Sequence, residues 1–195
     1  SKGSGFYRRA QDSRNVVEIN PNGFLPTIQT DISDLSIVSG LKGATKNWNY
    51  DISVNHGQND LDYSVINSLN TSLGPSSPTE FDAGSLTYSQ TLFNVDASRL
   101  IDVDIFASDM NLAVGFEFRT EEYEIRAGEP SSFSRGTFGP GGRPTDPVAG
   151  PFGASGSQVF PGFSPNSAGT NDRSNYSVYV DVEADVLENW NVALA

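Results

Sequence analysis

Apolar and polar residues alternate along this chain with a period of two. The clearest case is the stretch NWNYDISVNHG, in which every second residue is apolar: Trp48, Tyr50, Ile52 and Val54. Because successive side chains of a strand point to opposite sides, the stretch predicts a strand with one apolar and one polar side. Helical periodicity is nearly absent. The same alternation predicts strands at 35–42, 112–119, 176–186 and 190–194, and a less regular one over 86–105 with a bulge near Thr91.

Short and long connections follow each other in turn between these strands. The short ones are 43–47, 106–110 and 187–189, and the long ones are 11–30, 57–84 and 127–171. The longest is rich in Gly and Pro, so it is not helix or strand throughout. Such a long loop is unusual in a compact soluble domain, whereas outer-membrane barrels combine short periplasmic turns with long extracellular loops.

The tripeptide Asn-Trp-Asn occurs twice, at 47–49 and 189–191, each time directly after a short turn. In a barrel, both tryptophans would lie at the height where a strand enters the bilayer, and Trp is enriched at that interface. The alternative is that each is a core residue at the start of a strand. The residues predicted at the membrane interface are Trp48, Tyr50, Tyr176 and Trp190.

Alternation alone does not show whether lipid or the core of a soluble sandwich covers the apolar side of these strands. Together with the loop asymmetry and the two tryptophans, it predicts an all-β fold of about six or seven antiparallel, up-and-down transmembrane β-barrel strands. The run from Tyr176 to Val186 has the ~9–11 residues that a tilted strand needs to cross a bilayer.

Composition narrows the function classes. The net charge of −12 argues against a nucleic-acid binder, since no basic surface is available for phosphates. The chain has no cysteine, which excludes disulfides and thiolate sites. No run of ~18 apolar residues predicts a membrane-spanning helix.

Catalytic chemistry is not predicted. His56 is the only histidine, and no nucleophile motif surrounds it, so we expect no enzyme, no catalytic residue and no cofactor. Asp181, Glu183 and Asp185 are expected on a hydrated strand side. Asp60 and Asp62 are weak candidates for a Ca²⁺ site in the second long loop.

If the barrel interpretation holds, a charged group just below the longest loop faces the lumen near its outer mouth. The residues of this charged group and three residues of the loop are the candidates for substrate binding. The alternative role of the charged group is a salt-bridge ladder, and that of the loop residues is packing within the loop. These candidates are Glu117, Arg119, Glu121, Arg135, Arg143 and Phe160.

Three segments resemble TonB-dependent outer-membrane receptors in their order and spacing. They are YSVINSLNTSLGPSSPTEFDAG (Tyr63–Gly84), FEFRTEEYEIRAGEPSSF (Phe116–Phe133) and SNYSVYVDVEADVLENWNVALA (Ser174–Ala195), with Phe-Pro-Gly-Phe (Phe160–Phe163) before the last. The resemblance implies active import of a scarce nutrient, such as a siderophore, cobalamin or an oligosaccharide, across the outer membrane of a Gram-negative bacterium.

The same resemblance implies which partners to expect. They are outer-membrane lipid, the plug and remaining barrel strands of the receptor, an imported ligand, and TonB through an N-terminal part that this sequence lacks. The plug and an aromatic C-terminal strand are also absent from the sequence, so the resemblance leads us to expect that residues 1–195 form a partial barrel domain of a larger receptor, an interior slice of its barrel. The rival functions are a passive porin-like channel and a soluble extracellular β-sandwich that binds carbohydrate or mediates adhesion.

Overall fold

The structure is a computed structural model that describes every residue from Ser1 to Ala195. Seven strands form one antiparallel sheet, and each strand pairs with its neighbours in sequence. The strands are β1 (Lys2–Ser4), β2 (Thr27–Thr45), β3 (Trp48–Ile66), β4 (Phe81–Ile101), β5 (Met110–Ala127), β6 (Gly169–Leu187) and β7 (Trp190–Leu194). The predicted all-β, antiparallel, up-and-down arrangement is confirmed. The sheet is open, with β1 and β7 at its ends.

Helical structure is limited to short turns. The one-turn helix α1 covers Pro130–Phe133, and 3₁₀ turns cover Thr71–Ser76 and Pro140–Gly142. None of these helices has the length or the apolar character needed to cross a membrane.

The strands extend further than the sequence pattern predicts. β3 continues through His56 to Ile66, so the connection to β4 is 67–80 rather than 57–84. The prediction ended too early because the alternation inverts: after Val54 the apolar residues Leu61, Tyr63 and Val65 occupy odd positions. Similarly, β2 begins at Thr27, inside the predicted 11–30 loop. The connection between β5 and β6 agrees closely with its predicted bounds of 127–171.

The predicted bulge near Thr91 is wrong, and the irregularity lies at Gly84. Thr87 bonds to Asp60, and Thr91 bonds to His56 four residues further along both strands, so the register does not slip there. Gly84 has a φ of 97°, a conformation that favours glycine. Such a residue within a strand is typical of a β-bulge, which shifts the alternation by one position.

The chain divides into two compact units. Unit 1 contains Ser1–Ser33, Asn59–Tyr88 and Tyr123–Asn171, and unit 2 contains Asp34–Gln58, Ser89–Glu122 and Asp172–Ala195. Five strands contribute residues to both units. All three long connections fall in unit 1, whereas the connections of unit 2 are short.

Unit 1 has two small apolar clusters. In one, Val16, Phe24 and Leu69 are buried together. In the other, Val65, Phe81 and Ala83 are buried, with Tyr63, Val159 and Phe160 packed against them. The odd, apolar positions of β3 in this unit are therefore covered by the connection between β5 and β6.

Hydrogen bonds hold the loops of unit 1 together around Asn70. The fully buried Asn70 donates from Nδ2 to the carbonyls of Ser131 and Ser134, and its Oδ1 accepts from the backbone and the hydroxyl of Ser72. Ser72 Oγ also accepts from the backbone N–H of Gly136 at 2.9 Å. This network ties the 67–80 connection to the one that follows β5.

Unit 2 consists almost entirely of strand residues. Its only connections are Lys46–Asn47, a loop from Asp102 to Asp109, and Glu188–Asn189. Many large apolar side chains in this unit are exposed, for example Leu41 at 72% and Val178 at 76%. No second layer within unit 2 covers them.

We expect Asn70→Ala to lower the free energy of unfolding of unit 1 by about 2–3 kcal/mol, because it leaves buried polar partners unpaired. The exposed Asn166 is the control, and Asn166→Ala should change this free energy by less than about 0.5 kcal/mol. Urea unfolding in detergent, followed by amide hydrogen exchange of residues 128–168, measures both. Equal effects of the two substitutions would contradict the central role of Asn70.

Candidate functional site

Charged and polar side chains of unit 2 share one side of its sheet. Lys42 Nζ lies 2.8 Å from Asp51 Oδ2, which joins β2 to β3. Tyr179 on β6 donates its hydroxyl to Asp96 on β4 at 2.8 Å, across the intervening β5. These contacts establish which residues point to the polar side of each strand.

Tyr179 reaches Asp96 because β5 has a glycine at the crossing point. A Cβ on Gly115 would overlap Cε1 and Cζ of the tyrosine ring. The ring therefore lies directly over the backbone of Gly115, and 48% of Tyr179 remains exposed. The glycine is required here by close approach and not by its φ angle.

The opposite side of the same strands is apolar, because side chains alternate along each strand. It carries large exposed residues from β2 to β7. In β7, Val192 and Leu194 pair with Ala184 and Val182 in register, so they share this side. We call this surface the apolar side; its exposed members are Leu35, Ile37, Leu41, Tyr50, Ile52, Val54, Phe93, Phe116, Phe118, Tyr176, Val178, Val180, Val192 and Leu194.

Polar residues border the apolar side at one end. His56 Nδ1 and Thr91 Oγ1 are 3.0 Å apart, directly after Val54 on β3 and before Phe93 on β4. On β5 and β6, Thr120 and Ser174 occupy the equivalent places, two residues beyond the last apolar member. The four residues form a polar row across β3 to β6.

A cation and an aromatic ring border the other end. The guanidinium carbon of Arg99 lies 5.4 Å from the ring centroid of Trp48, a cation–π distance. Trp48 and Arg99 are each eight residues from the His56–Thr91 pair on their strands. The register between β3 and β4 is therefore unchanged over these eight residues. At ~3.4 Å per residue, the apolar side of the two strands is ~27 Å long.

The predicted substrate-binding residues on β5 make ion pairs. Arg119 Nη2 lies 2.9 Å from Glu117, and the 8% exposed Glu121 accepts from Arg173 Nε at 2.6 Å. Arg119 Nε is buried without a hydrogen-bond partner. The structure thus places the three residues in one row on the polar side of unit 2.

The predicted loop residues lie in unit 1 and are not brought together. Arg135 stacks on Phe152, with its guanidinium carbon 4.2 Å from the ring centroid. Phe160 packs at a centroid distance of 5.2 Å from Tyr63. Arg143 lines a separate cleft with Asp12 and other residues of the first long connection.

Asp60 and Asp62 have protein partners in unit 1. Asp60 accepts from Thr87 at 2.8 Å, and Asp62 lies 3.5 Å from Arg126. Arg126 also binds Asp82 through both terminal nitrogens. No group of three or more His, Cys, Asp or Glu side chains has an arrangement that could hold a metal ion.

The four predicted interface aromatics lie on strands of unit 2. Trp190 and Tyr176 are 67% and 78% exposed, Tyr50 is 38% exposed, and Trp48 is partly covered. The Tyr50 ring lies over Gly43, where a Cβ would overlap it. Trp48 has a cationic neighbour, Arg99, that sequence analysis missed.

Sequence analysis also missed Tyr179 and Asp96 as a pair. They are 83 residues apart, on strands that are not neighbours, so no local pattern links them. The available signal was Gly115, a glycine within an otherwise regular strand, which often marks close approach of another group.

Comparison of the chain with protein-family models, with curated proteins and with solved structures gives no match. The fold and the side chains described above therefore carry the functional argument.

Relative to Gly57→Ala, we expect Gly115→Ala to destabilise unit 2 by about 0.5–1.5 kcal/mol, because the new Cβ displaces the half-exposed Tyr179 ring and breaks its bond to Asp96. Gly57→Ala is the matched control, since a Cβ there meets only the Leu35 carbonyl, at 3.9 Å. Urea unfolding of both variants in detergent measures the difference. Similar stabilities for the two variants would contradict the close approach.

Hydrogen bonds from Arg126, with a further one from the Gly84 backbone, hold the pKa of the Asp82 carboxyl below its ordinary value. A depressed folded-state pKa means that this stabilisation is present above the unfolded pKa of ~3.9 and is lost as the pH falls through the folded value.

We therefore expect Asp82→Asn to remove part of the acid sensitivity that unit 1 shows below about pH 4. The effect at neutral pH should be no more than about 1 kcal/mol, because the pair is about half exposed. The exposed Glu80 provides the control substitution Glu80→Gln. An unchanged pH dependence of unfolding in Asp82→Asn would contradict this account.

Proposed function

We propose that the chain is a wall segment of a TonB-dependent receptor in a Gram-negative outer membrane, which imports a scarce nutrient. The observation that carries the proposal is the exposed apolar side of unit 2, with a charged side opposite and polar residues at its borders. The resemblance of segments 63–84, 116–133 and 174–195 to this receptor family adds the transport function.

The composition of unit 2 favours lipid over water on the apolar side. Each large apolar side chain gains about 1.5–3 kcal/mol on full burial, and more than ten of them are exposed here. A soluble β-sandwich covers such a surface with a second sheet. Unit 2 has a single sheet and only three short connections, so it contains no residues for a second layer.

The edges of the sheet support the same proposal. β1 pairs only with Thr27–Gln29 of β2, and β7 pairs only with the 182–187 part of β6. Most of the outer edges of β2 and β6 therefore lack a strand partner. Unpaired backbone groups are costly in hydrocarbon, so a membrane location requires further strands on both sides, as the rest of a receptor barrel supplies.

Within this proposal the two sides have different roles. The apolar side contacts outer-membrane lipid, and the polar side, with the Glu117, Arg119 and Glu121 row, faces the lumen and the plug. Arg135, Arg143 and Phe160 belong to the outer loops that first meet the cargo. TonB acts on a part of the receptor outside these residues.

The chain contains two tryptophans, which allow a direct test. In the single-tryptophan variants Trp190→Phe and Trp48→Phe, the remaining indole should be quenched by lipids brominated near the headgroup more than by lipids brominated at the chain end. The chain should also fail to form a stable, monodisperse monomer without detergent or lipid.

A soluble carbohydrate-binding or adhesion sandwich predicts the reverse. A protease-resistant, cooperatively unfolding monomer in plain buffer, with tryptophans insensitive to brominated lipid, would overturn the proposal.

A further inference from the structure

Arg99 differs from the other basic residues on the long strands. Lys42, Arg119, Arg126 and Arg173 each lie within 3 Å of a carboxylate oxygen. Arg99 has no carboxylate within the 4.0 Å that defines an ion pair, although the chain carries a net charge of −12. Among the basic residues of the long strands, Arg99 alone lacks such a partner.

The surroundings of Arg99 orient its charge. Its guanidinium stacks on Trp48, and its Nε is buried without a hydrogen-bond partner. Stacking covers a face of the planar group and leaves its terminal N–H groups available for a planar or tetrahedral oxyanion. The cleft beside it also contains Lys46, Asn47 and Asn49.

Two carboxylates line this cleft without forming an ion pair with Arg99. Asp102 and Asp109 line it, but neither makes an ion pair with the guanidinium. Lys46, in the turn between β2 and β3, is exposed and likewise has no carboxylate partner. Two cations are therefore free to meet one anion at this border of the apolar side.

We infer that Arg99, stacked on Trp48 and assisted by Lys46, binds the phosphate of a phospholipid headgroup. The inference rests on the proposed membrane location of the apolar side. Ala97 and Val95 precede Arg99 on the same side of β4, so acyl chains would continue over apolar residues while the phosphate meets the guanidinium. Lipid is favoured over free phosphate by this continuity.

The test measures the contact between arginine and phosphorus directly. The full chain, labelled with ¹³C and ¹⁵N arginine, is reconstituted in phosphatidylglycerol bilayers, and dephasing of the arginine Cζ signal by ³¹P is recorded by solid-state NMR. Arg99→Gln should remove part of the dephased signal. Arg119→Gln, which removes an arginine paired with Glu117, should not remove it.

Two further experiments distinguish lipid phosphate from free phosphate and test whether the cation at position 99 makes the contact. In frozen dodecyl maltoside micelles with inorganic phosphate, the Arg99-dependent dephasing should be absent; its presence would indicate a free-phosphate site and overturn the lipid assignment. With ¹⁵N-lysine labelling, Arg99→Lys should place a new lysine within dephasing distance of ³¹P. Circular dichroism checks that each variant retains its sheet.

Failure of this inference is distinguishable from failure of the proposed function. If brominated lipid quenches Trp48 in the Trp190→Phe variant but Arg99→Gln leaves the dephasing unchanged, the membrane location stands and the headgroup site is wrong. If brominated lipid leaves Trp48 unquenched, both fall.

Discussion

The uncovered apolar side of unit 2 is the constraint on which the rest of this structure depends. Hydrogen bonding between neighbours satisfies the backbone within the sheet, but it cannot bury the side chains that point away from it. Because unit 2 is nearly all strand, burial of Leu41, Val178 and their neighbours must come from the surroundings. In the membrane location that we propose, hydrocarbon would bury these side chains, and the polar residues at both borders of the surface fit the same proposal.

The opposite side of unit 2 follows a different rule. Several charges there form local pairs, of which Lys42–Asp51 and Arg173–Glu121 are examples. Such pairs contribute little to stability where water reaches them. They allow this side of the sheet to carry charged side chains that each have a partner of opposite charge. Tyr179, laid over Gly115 and bonded to Asp96, adds a connection that skips one strand.

Unit 1 illustrates how long connections rich in Gly and Pro can be well-packed structure. Asn70 and Ser72 act as hubs because each side chain can satisfy several backbone groups at once. Glycine permits the close approach of loop backbones, as at Gly136, where a Cβ would overlap the Ser72 carbonyl. In the proposed receptor, a loop of this kind would present a defined surface to the cargo.

The sequence by itself determined the all-β class, the antiparallel order and the apolar and polar sides of each strand in unit 2, because a period of two follows directly from strand geometry. It also located the long 127–171 connection from its Gly and Pro. It did not predict the full length of β3, because the apolar residues change from even to odd positions along this strand. The change occurs where the strand enters unit 1, in which the connection between β5 and β6 covers the odd positions. Only the tertiary structure decided which charges pair, that Tyr179 meets Asp96, and that Arg99 stacks on Trp48 without a carboxylate. These contacts join residues far apart in sequence, and their partners are selected by strand register and by the space that a glycine leaves.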